Sequence, residues 1–151
     1  MRSLLVAALS VSALIAPHAF AAETLMECKG PAHIQNIIEP WQDATRTYAN
    51  GKIRVIWLDT GGEPVCCSSH LAILAPNPKD EQGYRQCRVL NDGQEYMGFQ
   101  FIDLKGITSS YDASKGLLLS IPVERYIDGI KSKKAVIGVR INQATGDIAI
   151  E

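Results

Sequence analysis

Four cysteines are the residues in this sequence most able to do chemistry: Cys28, the adjacent pair Cys66 and Cys67, and Cys87. Thiols can bond to one another, hold a metal or exchange electrons, and their spacing chooses among these. Structural zinc sites favour cysteines two or more residues apart, completed by further cysteines or histidines. Cys66, Cys67, His70 and Cys87 offer the right ligand types without that spacing. A redox dithiol of thioredoxin type uses Cys-x-x-Cys, and the sequence has none. No metal and no cofactor is therefore expected, and all four cysteines are read as disulfide-bonded. Four cysteines allow three pairings. Neighbours in an extended strand point to opposite faces, so Cys66 and Cys67 are expected to reach different partners. A bond between them is disfavoured, because bonded cysteines usually hold their Cα atoms about 5.5 Å apart, against about 3.8 Å for trans neighbours. Of the two remaining pairings, Cys28–Cys66 with Cys67–Cys87 is favoured. A Cys67–Cys87 bond would close a loop of about 20 residues and stabilise by roughly 3 kcal/mol.

Ser68, Ser69 and His70 follow the pair directly and invite a nucleophile–base reading. Such pairs are defined by converging geometry, usually with a third orienting group, and no Gly-x-Ser-x-Gly elbow is present. On a strand, Ser68 and His70 share a face while Ser69 and His70 do not. The simpler reading is a polar strand face. His33 is the other histidine of the chain beyond the leader, beside an expected helix start, where a surface or capping role fits it. Asp80 and Glu81 lie in a polar loop. Asp59 to Glu63 lacks the spaced acids of a calcium loop, and Gly61-Gly62 lacks the Lys-Ser/Thr of a phosphate loop. No catalytic residue is assigned.

The N-terminus indicates the compartment. A positive Met1-Arg2-Ser3, an apolar run from Leu4 to Ala16, and the small-x-small pattern Ala19-Phe20-Ala21 make residues 1–21 a signal peptide, cleaved before Ala22. The run is short for a membrane span, which needs roughly 20 apolar residues. About 130 residues then remain, 22–151, the size of a single domain. The location expected is periplasmic or secreted, which suits disulfides. The chain carries 15 basic and 16 acidic residues, a balance that argues against nucleic acid as a partner. Lys131 to Lys134 holds three lysines and reads as a solvated loop.

The elements that must position these residues read mainly as β. Ile34, Ile37, Ile38, Trp41, Ala44 and Tyr48 recur at helical spacing, which predicts one helical region between Ala32 and Tyr48. Pro40 interrupts it, giving either a kinked helix across Ala32 to Tyr48 or a short helical or extended piece up to Glu39 followed by a new helix with Pro40 at its first position. Strands are expected from Lys52 to Leu58, from Val65 to Leu74 through the cysteine pair, and from Tyr84 to Leu90. Further strands are expected from Tyr96 to Leu104, over Thr108 to Tyr111 and from Leu117 to Val123. A last hairpin turns at Gln143 to Gly146. Leu117 to Val123 reads as buried on both faces, with Pro122 near an edge or a strand end. The fold expected is mainly β (α+β): a small antiparallel sandwich or barrel of about seven strands, a helical region packed on it, stabilised by disulfides.

Signal peptide, small β-rich domain and disulfides together are similar to the general class of small periplasmic binding or inhibitor proteins, inhibitors of lysozymes among them. The likeness is one of architecture. It implies a non-enzymatic, protein-binding role, and no residue is carried over from it. The function expected is an exported protein-binding module, inhibitor-like or envelope-associated, whose partner is another exported or envelope protein. Its polar loops, Ala75 to Gly83 and Gly106 to Gly116, are natural binding positions. The alternative is a small periplasmic hydrolase or ligand-binding protein using His70 with Ser68.

Overall fold

Alternation of apolar and polar side chains sets most strands of this chain. The computed structural model describes residues 22–61, 66–93, 96–129 and 131–151 and arranges them as two antiparallel sheets. Residues 1–21, expected as a signal peptide, and residues 62–65, which include the start of the strand expected from Val65 to Leu74, lie outside the described residues. The first sheet holds β1 (Thr24–Glu27), β2 (Thr45–Tyr48), β3 (Ile53–Asp59), β4 (Ser69–Pro76) and β5 (Arg85–Asn91), in the order β1-β5-β4-β3-β2. The second holds β6 (Phe101–Ile102), β7 (Thr108–Asp112), β8 (Gly116–Asp128), β9 (Lys131–Asn142) and β10 (Asp147–Ile150). Its order is β10-β9-β8, with β6 and β7 sharing the far side of β8. The sheets pack face to face as a sandwich and do not close into a barrel. Among the described residues ten strands are seen, against about seven expected, because short edge pieces such as β1, β2 and β6 carry little pattern of their own.

The core lies between the sheets. Ile53 and Val55 of β3, Leu71, Ile73 and Ala75 of β4, and Leu90 of β5 meet Leu117, Leu119, Ile121 and Val123 of β8 and Ile137, Val139 and Ile141 of β9. In β8 the intervening Leu118, Ser120, Pro122 and Glu124 are only half-buried, so that run is covered on one face and not on both. Pro122 lies inside the sheet, opposite Val136. Its carbonyl accepts from the Asp103 N–H, 3.0 Å away. Its missing donor faces the same side, where the neighbouring edge breaks between β6 and β7 and the ladder loses little.

The expected helix is absent: among the described residues the only helical piece is a 3-10 turn at Ile34–Asn36. No helix of these residues is long and apolar enough to cross a membrane. Tertiary pairing overrides the helical spacing. β1 and β2 sit at opposite edges of the first sheet, so residues 28–44 must cross its width. On the way Ile37 bridges to Leu58, the Ile38 N–H donates to the Trp57 carbonyl at 3.4 Å, and the Trp57 N–H donates to the Ala44 carbonyl at 2.8 Å. Pro40 has no donor for a helical turn. Ile34 and Trp41, which a helix would have buried, are 71% and 53% exposed. The crossing explains why Leu58, His70, Ala72, Val89 and Asn91 are buried although they point away from the core between the sheets. β4, central in the sheet, is thus apolar on both faces.

Residues 98–103 carry the chain from one sheet to the other. Phe99, fully buried, exchanges two backbone hydrogen bonds with Ser69 of β4, and the next amide, Gln100, donates to Glu124 of β8. The long strand expected over Tyr96 to Leu104 is therefore shared between the sheets, and only Phe101 and Ile102 form a ladder. Trp57 and Phe101 meet edge to face across this seam, with ring centroids 5.2 Å apart. Arg46 of β2 fastens the loop that follows, its Nη1 donating to the carbonyls of Leu104, Lys105 and Ile107 at 3.0 to 3.1 Å.

Candidate functional site

The cysteine stretch is not a strand at its start. β4 begins at Ser69, and Cys66 and Cys67 precede it in a bend. Cys67 has φ of 74°, a left-handed conformation uncommon for a residue with a Cβ. In that conformation the adjacent side chains no longer splay to opposite faces. The bonds are Cys28–Cys87 and Cys66–Cys67. This corrects the favoured pairing, which rested on the pair lying in an extended strand. Cys28 follows β1 and Cys87 lies in β5, so their bond fixes the start of the crossing segment to the sheet.

The backbone after the pair is clamped. The Gly98 N–H donates to the Cys67 carbonyl at 2.8 Å. A Cβ at Gly98 would stand 2.5 Å from that oxygen and 2.8 Å from the Ser69 nitrogen, so only glycine permits the approach. Both cysteines are half-exposed, as is Ser68.

His70 and Ser68 do not meet in a cleft. The His70 ring is fully buried on the outward side of the first sheet, its Nδ1 2.8 Å from Asn91 Oδ1. Asn91 turns its amide nitrogen to the Val89 carbonyl, 3.3 Å away. Its oxygen can only accept, so His70 Nδ1 donates and Nε2 is a bare lone pair. That Nε2 is buried without a hydrogen-bond partner. Burial pulls the imidazole pKa below its ordinary value, against the opposing pull of the Asn91 bond and of Asp59. The Ser68 carbonyl accepts from the Thr60 N–H at 3.0 Å. A neutral, enclosed imidazole is placed to pack and to bond Asn91, and it lacks the open face that proton transfer to a substrate requires.

Other candidates are also spent on structure. His33 is exposed and makes no capping hydrogen bond. Asp80 accepts from the Gln82 and Tyr84 amides, and Asp59 from the Gly61 amide. Asp112 accepts from the Ser114 hydroxyl and from the Ser114 and Lys115 amides, which hold its carboxyl down at about 2. Among the described residues no three His, Cys, Asp or Glu side chains converge as a metal would need. The Lys131–Lys134 stretch is the start of β9, not a loop. Lys134 faces Glu124 at 3.9 Å, and Lys131 pairs with Asp128 in register.

Sequence reasoning missed two features. One is Arg125, which bridges Glu23 and Asp92 with its charged end largely buried. The other is a groove of about 550 Å³ on the outward face of the second sheet, lined by Phe101, Asp103, Pro122, Glu124, Lys134 and Val136. Pro122 stands opposite Val136 and Phe101 opposite Glu124, all on one face. Val136 is 67% exposed and Phe101 41%. The signal was available in principle: Val136 breaks the alternation of β9 by putting an aliphatic residue on the polar side. Comparison with protein-family models, with curated proteins and with solved structures gives no match for this chain.

Proposed function

We propose that this is an exported, non-enzymatic binding module that takes another exported or envelope protein onto the outward face of its second sheet. One observation carries the reading: the two outward faces are unequal. The first sheet's, across which residues 28–44 must pass between its two edges, buries Leu58, Ala72 and Val89. The second sheet's groove leaves Phe101 and Val136 open to water. Exposed apolar groups grouped on a rigid face mark interaction sites more often than isolated ones do. The rim adds Asp103 and Glu124 against Lys134. A partner that presents an apolar side chain beside a cation fits that rim.

The test is a photo-crosslinker placed at Val136 and, as a control, at Thr47 on the first sheet, in cells that export the protein. A discrete adduct from position 136 alone, lost with Phe101→Ala, is the expected result. Val136→Glu should leave the melting temperature within a degree or two and weaken partner capture at least about tenfold, the scale of a buried apolar anchor. Equal adducts at both positions, or Val136→Glu binding as the parent does, refutes the reading. The hydrolase alternative predicts instead that His70→Gln removes an activity or a ligand affinity of the purified protein.

A further inference from the structure

We infer that Cys66–Cys67 is a reversible two-electron redox site whose opening releases the Gly98 clamp, independently of what the groove binds. The starting point is what this bond does not do. It joins neighbours, so it ties no distant parts of the chain and gives the fold almost none of the loop-closure stabilisation of a disulfide. Cys28–Cys87 spans 59 residues and does give it. Such coupling is reciprocal. A bond that stabilises the fold is stabilised by the fold in turn, so reduction of Cys28–Cys87 works against the whole sandwich. Cys66–Cys67 receives no such protection. Both of its cysteines are half-exposed, so a thiolate can reach them.

The substrate class is a dithiol, small or carried by a protein. One thiolate of the dithiol attacks a sulfur of the pair, forming a mixed disulfide and expelling the other cysteine as thiolate. The second thiol of the dithiol then attacks the mixed disulfide and frees the first cysteine. Two electrons and two protons pass to Cys66 and Cys67, which become thiols, and the dithiol becomes a disulfide.

The structural consequence follows from the backbone. Cys67 sits at φ of 74° and points its carbonyl at the Gly98 amide. With its sulfur freed, Cys67 can return to the ordinary negative-φ region favoured for residues with a Cβ. That rotation turns the carbonyl away from Gly98. The change is felt where residues 96–99 leave the first sheet, a segment that carries the exposed Tyr96 and Met97. The redox state of the pair is therefore read out as the freedom of that segment.

The experiment treats the purified, oxidised protein with dithiothreitol under native conditions, traps thiols with N-ethylmaleimide and maps the peptides. The expected result is label on Cys66 and Cys67 with Cys28 and Cys87 unlabelled and circular dichroism unchanged. Glutathione disulfide should restore the closed pair. Amide exchange at Gly98 should be at least about tenfold faster in the reduced protein. A Cys66→Ser/Cys67→Ser protein should show that fast exchange with or without dithiothreitol. Labelling of all four cysteines together with unfolding overturns the inference. So does a Gly98 exchange rate that is the same in both redox states, or a non-reducing map in which Cys66 is bonded to Cys28 or Cys87.

Discussion

The two disulfides should differ sharply in what they contribute to stability, and the difference can be worked from connectivity. Cys28–Cys87 has a sequence separation of 59. For a loop of that length the chain-entropy relation gives about 14 cal/mol/K, or about 4 kcal/mol at 25 °C. Cys66–Cys67, with a separation of 1, closes a ring across one peptide bond and is worth on the order of 1 kcal/mol or less. Cys28 and Cys87 are both half-buried, so a Cys28→Ser/Cys87→Ser protein loses the cross-link with only modest loss of packing. A domain of about 130 residues unfolds with an entropy near 0.27 kcal/mol/K, so a loss of about 4 kcal/mol lowers the melting temperature by roughly 15 °C. The Cys66→Ser/Cys67→Ser protein should fall by no more than about 4 °C on the same basis. Urea unfolding of the three proteins, followed by tryptophan fluorescence, measures both changes, with the slopes compared to detect any change in the unfolded state. Equal losses in the two variants, or a larger loss from the adjacent pair, would refute the loop-closure reasoning.

Three further outcomes follow from particular contacts. Because burial lowers the His70 pKa, the unfolded chain binds a proton before the native one does as pH falls below about 6.5. The contribution of the neutral ring is thus full above that pH and is lost as pH falls from there towards the lowered native pKa. Urea midpoints should drop over that window, with a slope of at most about 1.4 kcal/mol per pH unit, and His70→Gln should flatten it; a midpoint that is level or rises on acidification would count against the buried neutral ring. Gly98→Ala drives a Cβ into the Cys67 and Ser69 backbone and should cost about 2 kcal/mol, the scale of an overpacked site, in the same denaturation assay. Arg125→Met leaves Asp92, its side chain 12% exposed, without its cation. Discounted for partial solvation, the loss should be about 1–3 kcal/mol, and Asp92→Asn in the same protein should recover part of it; no recovery in the double variant would show that the carboxylate was never the unpaired group.

What could be seen in advance depended on whether a residue's neighbours were local. The β9–β10 hairpin was legible because Ala135, Ile137, Val139 and Ile141 alternate on one side of the Gln143–Gly146 turn and Ile148 and Ile150 answer on the other. The apolar positions of residues 34–48 repeat at helical spacing, yet each answers to a different distant partner: Ile37 to Leu58, Ala44 to Trp57, Tyr48 to Ile53. No period within the segment records that. The cause is topological. Placing β1 and β2 at opposite edges compels the chain between them to cross the sheet, and a crossing strap bonds wherever it lies over a strand end. The same placement accounts for the part of the site that misled. A histidine beside two serines reads as reactive when the strand is imagined half-exposed, but a strand central in its sheet and roofed on its outward face has no exposed side. His70 is enclosed on the face that residues 28–44 must cross, and the adjacent cysteines lie ahead of β4, which starts only at Ser69. Both outcomes were fixed by the path of the chain around Ser69–Asn91, far from the residues whose chemistry drew attention. The groove at Val136 is the converse case. There no strap crosses, and an aliphatic side chain on the polar side of a strand stays in water until something else covers it.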